Sequence, residues 1–287
     1  MDAALLNMLG KYNCKNEREY ENALKEIIQH LTLLGLWRAK FFEHAAFYGG
    51  SALRIFHGSR RFSEDLDFSL LKVNTSFDLF PYMKMVETEL KSFGFNVEVK
   101  KRNKPHSDID SAFIKANTME SLLNLRVPDA VADRIQKNRT LKIKFEVDTT
   151  PPDGASYEVR TLLTPIPFQV ELFNLPCLFA GKLHALLCRN WKNRVKGRDF
   201  YDFVWFIGNN VPCNIKHLRL RMIDSGHWHD KDKFGHEELT SRLKARFSSV
   251  DFKLAKADIE PFITDPAELE LWSSRFFIGL LPQLKCL

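Results

Sequence analysis

A chain of 287 residues with 42 Lys and Arg against 36 Asp and Glu carries a formal charge of +6, with a pI near 9.0. That length buries a full core of one or two domains, and the ordinary share of apolar and charged residues is that of a soluble globular protein. The composition argues against a membrane span, a secretory leader and a disulfide framework. No apolar run approaches the ~20 residues that cross a bilayer, and Met1 to Lys11 lacks the regions of a signal peptide. Cys14, Cys177, Cys188, Cys213 and Cys286 are scattered without metal-ligand spacing. The expectation is a cytoplasmic protein with reduced thiols and no membrane partner.

From the N-terminus, residues 15–44 carry apolar residues at three- and four-residue spacing (Tyr20, Leu24, Ile27, Ile28, Leu31, Leu34), which predicts a long helix packed on the core. Ala45 to Tyr48 reads as a short strand, Gly49-Gly50-Ser51 as a turn, and Ala52 to Phe56 as a short helix ending near Gly58. Asp65-Leu66-Asp67-Phe68-Ser69-Leu70 then alternates with a period of two. In a strand, Asp65 and Asp67 share a face, about 7 Å apart. Two carboxylates so placed near a Gly-Gly-Ser turn suit Mg²⁺ held between protein and phosphate oxygens. The bland alternative is a glycine turn beside a solvated acidic pair.

Further on, Pro81 to Phe93 predicts a helix, and Asn96 to Lys101 and Ser111 to Ala116 predict strands. Lys100, Lys101, Arg102 and Lys104 read as a basic loop. Leu122 to Val127 is ambiguous, and Asp129 to Gln136 reads as a helical turn. Leu141 to Asp148 alternates most cleanly, with Leu141, Ile143, Phe145 and Val147 on one face and Lys142, Lys144, Glu146 and Asp148 on the other, until Pro151-Pro152-Asp153-Gly154 stops it. A short strand near Tyr157–Leu163 and a Pro-punctuated crossing lead to a helix from Pro176 to Arg189. A basic loop follows (Arg189, Lys192, Arg194, Lys196), and a second helix begins at Gly197-Arg198-Asp199-Phe200-Tyr201-Asp202. The tail predicts helices over 214–224, 236–247 and 266–284. His227, His229 and His236 read as a polar loop rather than a metal site, because their spacing is not diagnostic.

Two blocks carry a resemblance. Gly49-Gly50-Ser51, placed fourteen residues before Asp65 with Arg61-Phe62-Ser63-Glu64 between them, resembles the nucleotidyltransferase signature. Lys182-Leu183-His184-Ala185-Leu186 through Lys196-Gly197-Arg198-Asp199-Phe200-Tyr201-Asp202 resembles the second motif block of the AbiEii/AbiGii-type toxins of toxin–antitoxin and abortive-infection pairs. The resemblance implies an α+β fold, with a nucleotidyltransferase-like mixed sheet, flanking helices and a helical C-terminal region. The expected organisation is an N-terminal helical segment over 1–44, a catalytic core over 45–174 and a helical domain over 175–287.

It also implies an activity: transfer of a nucleoside monophosphate from a nucleoside triphosphate to RNA, for several relatives the 3′ end of tRNA, with an antitoxin as partner. Asp65 and Asp67 would hold two Mg²⁺ ions. A third carboxylate would come from a neighbouring strand, Glu146 first and Asp148 second. Gly49, Gly50 and Ser51 would cradle phosphates at a helix N-terminus. Lys182 would meet the triphosphate. Asp199 or Asp202 would orient Lys182 or a ribose hydroxyl, Arg198 is a further nucleotide-binding residue, and Arg61 and Ser63 are nucleotide-phosphate or structural residues. The basic bias near these positions suits a phosphate backbone. Two alternatives stand beside this reading: a nucleotidyltransferase acting on a small molecule or a protein hydroxyl, and a nucleotide-binding module without catalysis.

Overall fold

The computed structural model describes residues 3–102, 109–124, 127, 139–189 and 195–287. They divide into two compact units. The first holds residues 1–58, 62–151 and 158–172, and the second holds 59–61, 152–157 and 173–287.

In the first unit, α1 (Ala3–Gly10) and α2 (Glu17–Arg38) precede β1 (Ala45–Tyr48). Asn16 caps α2, its side chain accepting the Glu19 N–H at 3.1 Å, and the predicted stripe of Leu24, Ile27, Ile28, Leu31 and Leu34 is wholly buried. There follow α3 (Gly49–His57), β2 (Leu66–Leu70), α4 (Phe80–Ser92), β3 (Val97–Arg102), β4 (Ile109–Asn117), α5 (Thr118–Asn124) and β5 (Thr140–Asp148). β6 (Tyr157–Leu162) and β7 (Phe168–Phe173) complete a seven-stranded sheet of order β3-β4-β5-β2-β1-β7-β6. The sheet is mixed, and the fold is α+β: β1 runs antiparallel to β2 and parallel to β7, while β2 runs parallel to β5.

An aromatic core sets the register of the central strands. Phe47 and Phe68 are cross-strand partners with ring centroids 4.9 Å apart, and Phe68 stacks on Phe145 at 4.6 Å. Phe41 meets Phe68 edge-on at 5.1 Å. All four rings are fully buried, so a one-residue slip of β2 would turn Phe68 to the opposite face.

The second unit is mainly helical, with α6 (Leu175–Cys188), α7 (Gly197–Gly208), α8 (Ile215–Asp224), α9 (His236–Ser249), α10 (Phe252–Ile259) and α11 (Ser274–Leu280). Asn174 caps α6 through the Cys177 N–H at 3.1 Å, and Pro176 sits in the first turn, as expected from the sequence. Phe200, Phe203, Phe247 and Phe277 are buried together, with centroids 5.2–6.2 Å apart for the contacting pairs.

Several expectations need correction. Strand β7 lies in the stretch read as a crossing, although Phe168, Val170 and Leu172 are buried alternately with the polar Gln169 and Glu171. Lys100, Lys101 and Arg102 are in β3 rather than a loop, paired with Phe113, Ala112 and Ser111. Lys101 tolerates the strand because its ammonium lies 3.1 Å from Asp78 and 3.5 Å from Asp110. The single tail helix over 266–284 is three short pieces, with Pro266 and Pro282 each opening a 3₁₀ turn on either side of α11, and α10 before them was not foreseen. Leu122, in the ambiguous stretch, belongs to α5. Lys104, Lys192, Arg194 and the turn expected over Asp129–Gln136 lie outside the described residues.

Candidate active site

The β1–α3 junction begins the site. Gly49 is the first residue of α3, so the diglycine forms the helix's opening turn instead of a separate one, and the helix ends at Gly58 in the left-handed conformation. Gly49 itself takes φ +85°, and a Cβ there would stand 2.6 Å from Oδ2 of Asp67. Glycine is therefore required twice over, by the backbone angle and by the carboxylate against it. Ser51 is buried and its hydroxyl donates to the Asp65 carbonyl, tying the first turn of α3 to the chain entering β2.

Asp65 and Asp67 are half-buried and alternate with the wholly buried Leu66 and Phe68. Asp67 thus lies on the face of β2 away from the aromatic core, as the period-two pattern predicts, and Asp65 stands one residue before the strand begins. In the parallel β2–β5 pair, Asp67 is the register partner of Glu146, and Ser69 that of Asp148. Register partners lie on one face of a sheet, so Asp67 and Glu146 are level neighbours on strands ≈ 4.8 Å apart. Asp148 stands two pairs further along, at the strand's end, where its Oδ1 accepts the Thr150 N–H at 3.1 Å. Glu146 also lies 2.5 Å from the Lys144 ammonium. Ser111, opposite Glu146 on β4, has a fully buried hydroxyl with no hydrogen-bond partner among the described residues.

This set fits a divalent ion. It offers carboxylate oxygens from adjoining strands, a glycine that leaves room beside one of them, and on the same face a buried hydroxyl without a partner among the described residues. Hard oxygen ligands of this kind are those Mg²⁺ takes.

The second unit carries the other block. Asp202 on α7 is wholly buried and accepts a bidentate pair from Arg61, Nε and Nη2 each at 2.6 Å. Lys182 on α6 reaches the same carboxylate at 2.7 Å and Asp199 at 3.6 Å, and Arg189 closes on Asp199 at 2.6 Å. Burial pushes the Asp202 carboxyl up, but the charges and hydrogen bonds of Arg61 and Lys182 outweigh it and hold the group below the usual carboxylate range. Asp199 and Asp202 both orient Lys182. Asp202 has no surface to offer a ribose hydroxyl. Arg61, expected either at a phosphate or in a structural role, is 2 % exposed and directs its fork into the protein, which favours the structural role. The sequence could not show this, since the pair is 141 residues apart.

Arg198 stacks over the Phe262 ring at 4.4 Å. Ser63 contributes its carbonyl, which accepts from Gln29 at 3.0 Å. Gly197, inside the same motif, has a packing reason: a Cβ there would overlap the Ala255 carbonyl oxygen of α10. Gly197→Ala is expected to force α7 and α10 apart and destabilise the fold by about 1–3 kcal/mol, read as a lower midpoint in urea.

The sequence model described as nucleotidyl transferase AbiEii toxin, type IV toxin–antitoxin system, matches residues 32–276. No curated protein matches the chain. Two crystal structures from Helicobacter pylori share the fold. JHP933 is 16% identical, with a TM-score of 0.51, over 90% of this chain and 89% of its own. The other, whose description names a nucleotidyltransferase, has the same identity and score over 90% of this chain and 92% of its own. With the match spanning most of the sequence, the chain belongs to the AbiEii nucleotidyltransferase toxin family of toxin–antitoxin systems and is a nucleotidyltransferase.

Proposed function

We propose that the protein is a Mg²⁺-dependent nucleotidyltransferase that moves a nucleoside monophosphate from a nucleoside triphosphate to an RNA hydroxyl, the 3′ end of tRNA. An antitoxin would restrain this activity in the cytoplasm. The observation that carries the reading is the Asp67–Glu146 register, which sets carboxylates of two strands level, with Gly49 against one of them.

Asp65, Asp67 and Glu146 would hold the metal, with Asp148 the next carboxylate along β5. When bound, Mg²⁺ supplies charge stabilisation on the attacking and leaving oxygens of an in-line displacement. The acceptor hydroxyl loses its proton, its oxygen bonds to the α-phosphorus, and the bond to pyrophosphate breaks. The residues of the chain position the reactants. Backbone N–H groups of Gly50 and Ser51, in the first turn of α3, favour phosphate oxygens because the helix N-terminus is electropositive. Lys182 is the lysine of the family's second block, and its replacement by alanine is expected to lower transfer. The formal charge of +6 favours an anionic acceptor. No helix among the described residues is long and apolar enough to cross a membrane.

The test supplies each labelled nucleoside triphosphate with purified tRNA, or with total cellular protein, with Mg²⁺ or with a chelator. The expected result is Mg²⁺-dependent label at the RNA 3′ end. Label confined to protein would replace the acceptor with a protein hydroxyl, and label unaffected by the chelator would remove the metal.

A further inference from the structure

A cluster outside the nucleotidyl-transfer residues brings together side chains that the sequence keeps apart. His184 and Cys188 stand four residues apart on α6, hence on one face of its last turns. His227 follows α8, where Gly226 takes φ +72° and the His227 N–H returns to the Met222 carbonyl at 2.8 Å, fixing the loop's exit. One ligand atom from each of His184, Cys188 and His227 lies within 4.8 Å of the other two. We propose that these three residues form a binding site for a borderline-soft divalent cation of the zinc class, separate from the carboxylate site.

The present hydrogen bonding is consistent with this. Both imidazoles converge on one hydroxyl: His184 Nε2 lies 2.8 Å and His227 Nδ1 3.0 Å from Ser225 Oγ. The Ser225 hydroxyl itself donates to the Met222 carbonyl at 3.3 Å, so the two rings meet its oxygen as an acceptor. A tetrahedral ion with Zn–N of about 2.0 Å and Zn–S of about 2.3 Å needs ligand atoms roughly 3.3–3.5 Å apart. Ligand atoms within 4.8 Å of one another must therefore close by at most about 1.5 Å. The fourth position falls to water or to Ser225.

The surroundings select the ion's type. Arg221 faces His184 and Cys188, with Arg189 also near His184, and Arg242 and Arg246 also near Cys188. These charges oppose any divalent cation, so the ion must be one that gains partly covalent bonds to nitrogen and thiolate ligands, as zinc does. On binding, the Cys188 thiol gives its proton to solvent and its sulfur becomes the ligand. The bound ion would pin the end of α6 to the loop after α8. The neighbouring histidines are not part of the set: His236 Nε2 meets the Leu284 carbonyl at 3.0 Å instead.

Cobalt(II), which takes the same ligands with a visible spectrum, is the probe. Titration of the full-length chain, with Mg²⁺ in excess to occupy the carboxylate site, is expected to show a thiolate-to-cobalt charge-transfer band that saturates at one equivalent and is displaced by zinc. The band should disappear in Cys188→Ser, weaken at least ten-fold in affinity in His227→Ala, and persist in Cys286→Ser and His229→Ala. Zinc should also protect Cys188, and not Cys14, from alkylation in the unaltered protein, mapped by mass spectrometry, which keeps the test independent of any variant's folding. Absence of the band, its survival in Cys188→Ser, or alkylation of Cys188 at the same rate with zinc would overturn the site.

Discussion

Replacing Asp67 by alanine is expected to lower nucleotidyl transfer by about 10³-fold or more, while the thermal midpoint stays within a few degrees of the parent. The carboxylate is half-buried on the sheet face away from Phe47, Phe68 and Phe145, so its removal leaves the aromatic core intact. A metal contribution of several kcal/mol corresponds to about three powers of ten in rate. Asp65→Ala should behave alike. Gly49→Ala probes the same point without removing a carboxylate. Its Cβ would meet Oδ2 of Asp67, the movable end of a side chain, so the carboxylate swings aside while the fold survives. The expectation is a large loss of transfer with a small loss of stability, of order 1 kcal/mol from the positive φ. Steady-state assays of transfer together with melting curves check both. An Asp67→Ala protein that keeps a tenth of the parental rate would sink the metal site.

The largest effect on stability is expected at Arg61. Arg61→Ala leaves Asp202 wholly buried with Lys182 as its remaining close cation, and breaking a buried pair from one side costs about 3–5 kcal/mol. Arg61→Lys should recover only part of this, because an ammonium cannot make the bidentate fork. Denaturant midpoints for Arg61→Ala, Asp202→Ala and the double variant measure the coupling, which is expected to be well above 1 kcal/mol.

The pair also sets an acid dependence. Asp202 is depressed in the folded state, so its contribution is complete above the unfolded carboxyl value near 3.9 and is lost as pH falls through the lower folded value. Stability of the parent should therefore fall on the acid side of about pH 4, and Asp202→Asn should flatten that limb. An unchanged acid limb in Asp202→Asn would remove the pair from this role.

Those two residues show how far the amino-acid order reaches. Asp67, Glu146 and Asp148 are legible as strand-face carboxylates because the period of two is local and needs only a few neighbours on each side, whereas Asp65, read as part of the strand, stands just before it. The start of α6 at Pro176 is likewise local, while the caps Asn16 of α2 and Asn174 of α6 are found in the fold. Strand β7 had the same alternation, Phe168-Gln-Val-Glu-Leu-Phe173, and was hidden by Pro165 and Pro167 just before it. The cluster of His184, Cys188 and His227 was out of reach, since no spacing announces a ligand set split between a helix and a distant loop.

What the residues alone established is the class of element at most positions, the apolar face of each, and the two blocks that mark the family. Only the folded chain could choose Glu146 as the level partner of Asp67, since the β2–β5 register is a long-range pairing fixed by packed phenylalanines. Likewise only burial could decide for Arg61 between a phosphate ligand and a structural brace. An arginine's chemistry is the same in both settings, and what differs is whether water or a buried carboxylate surrounds it.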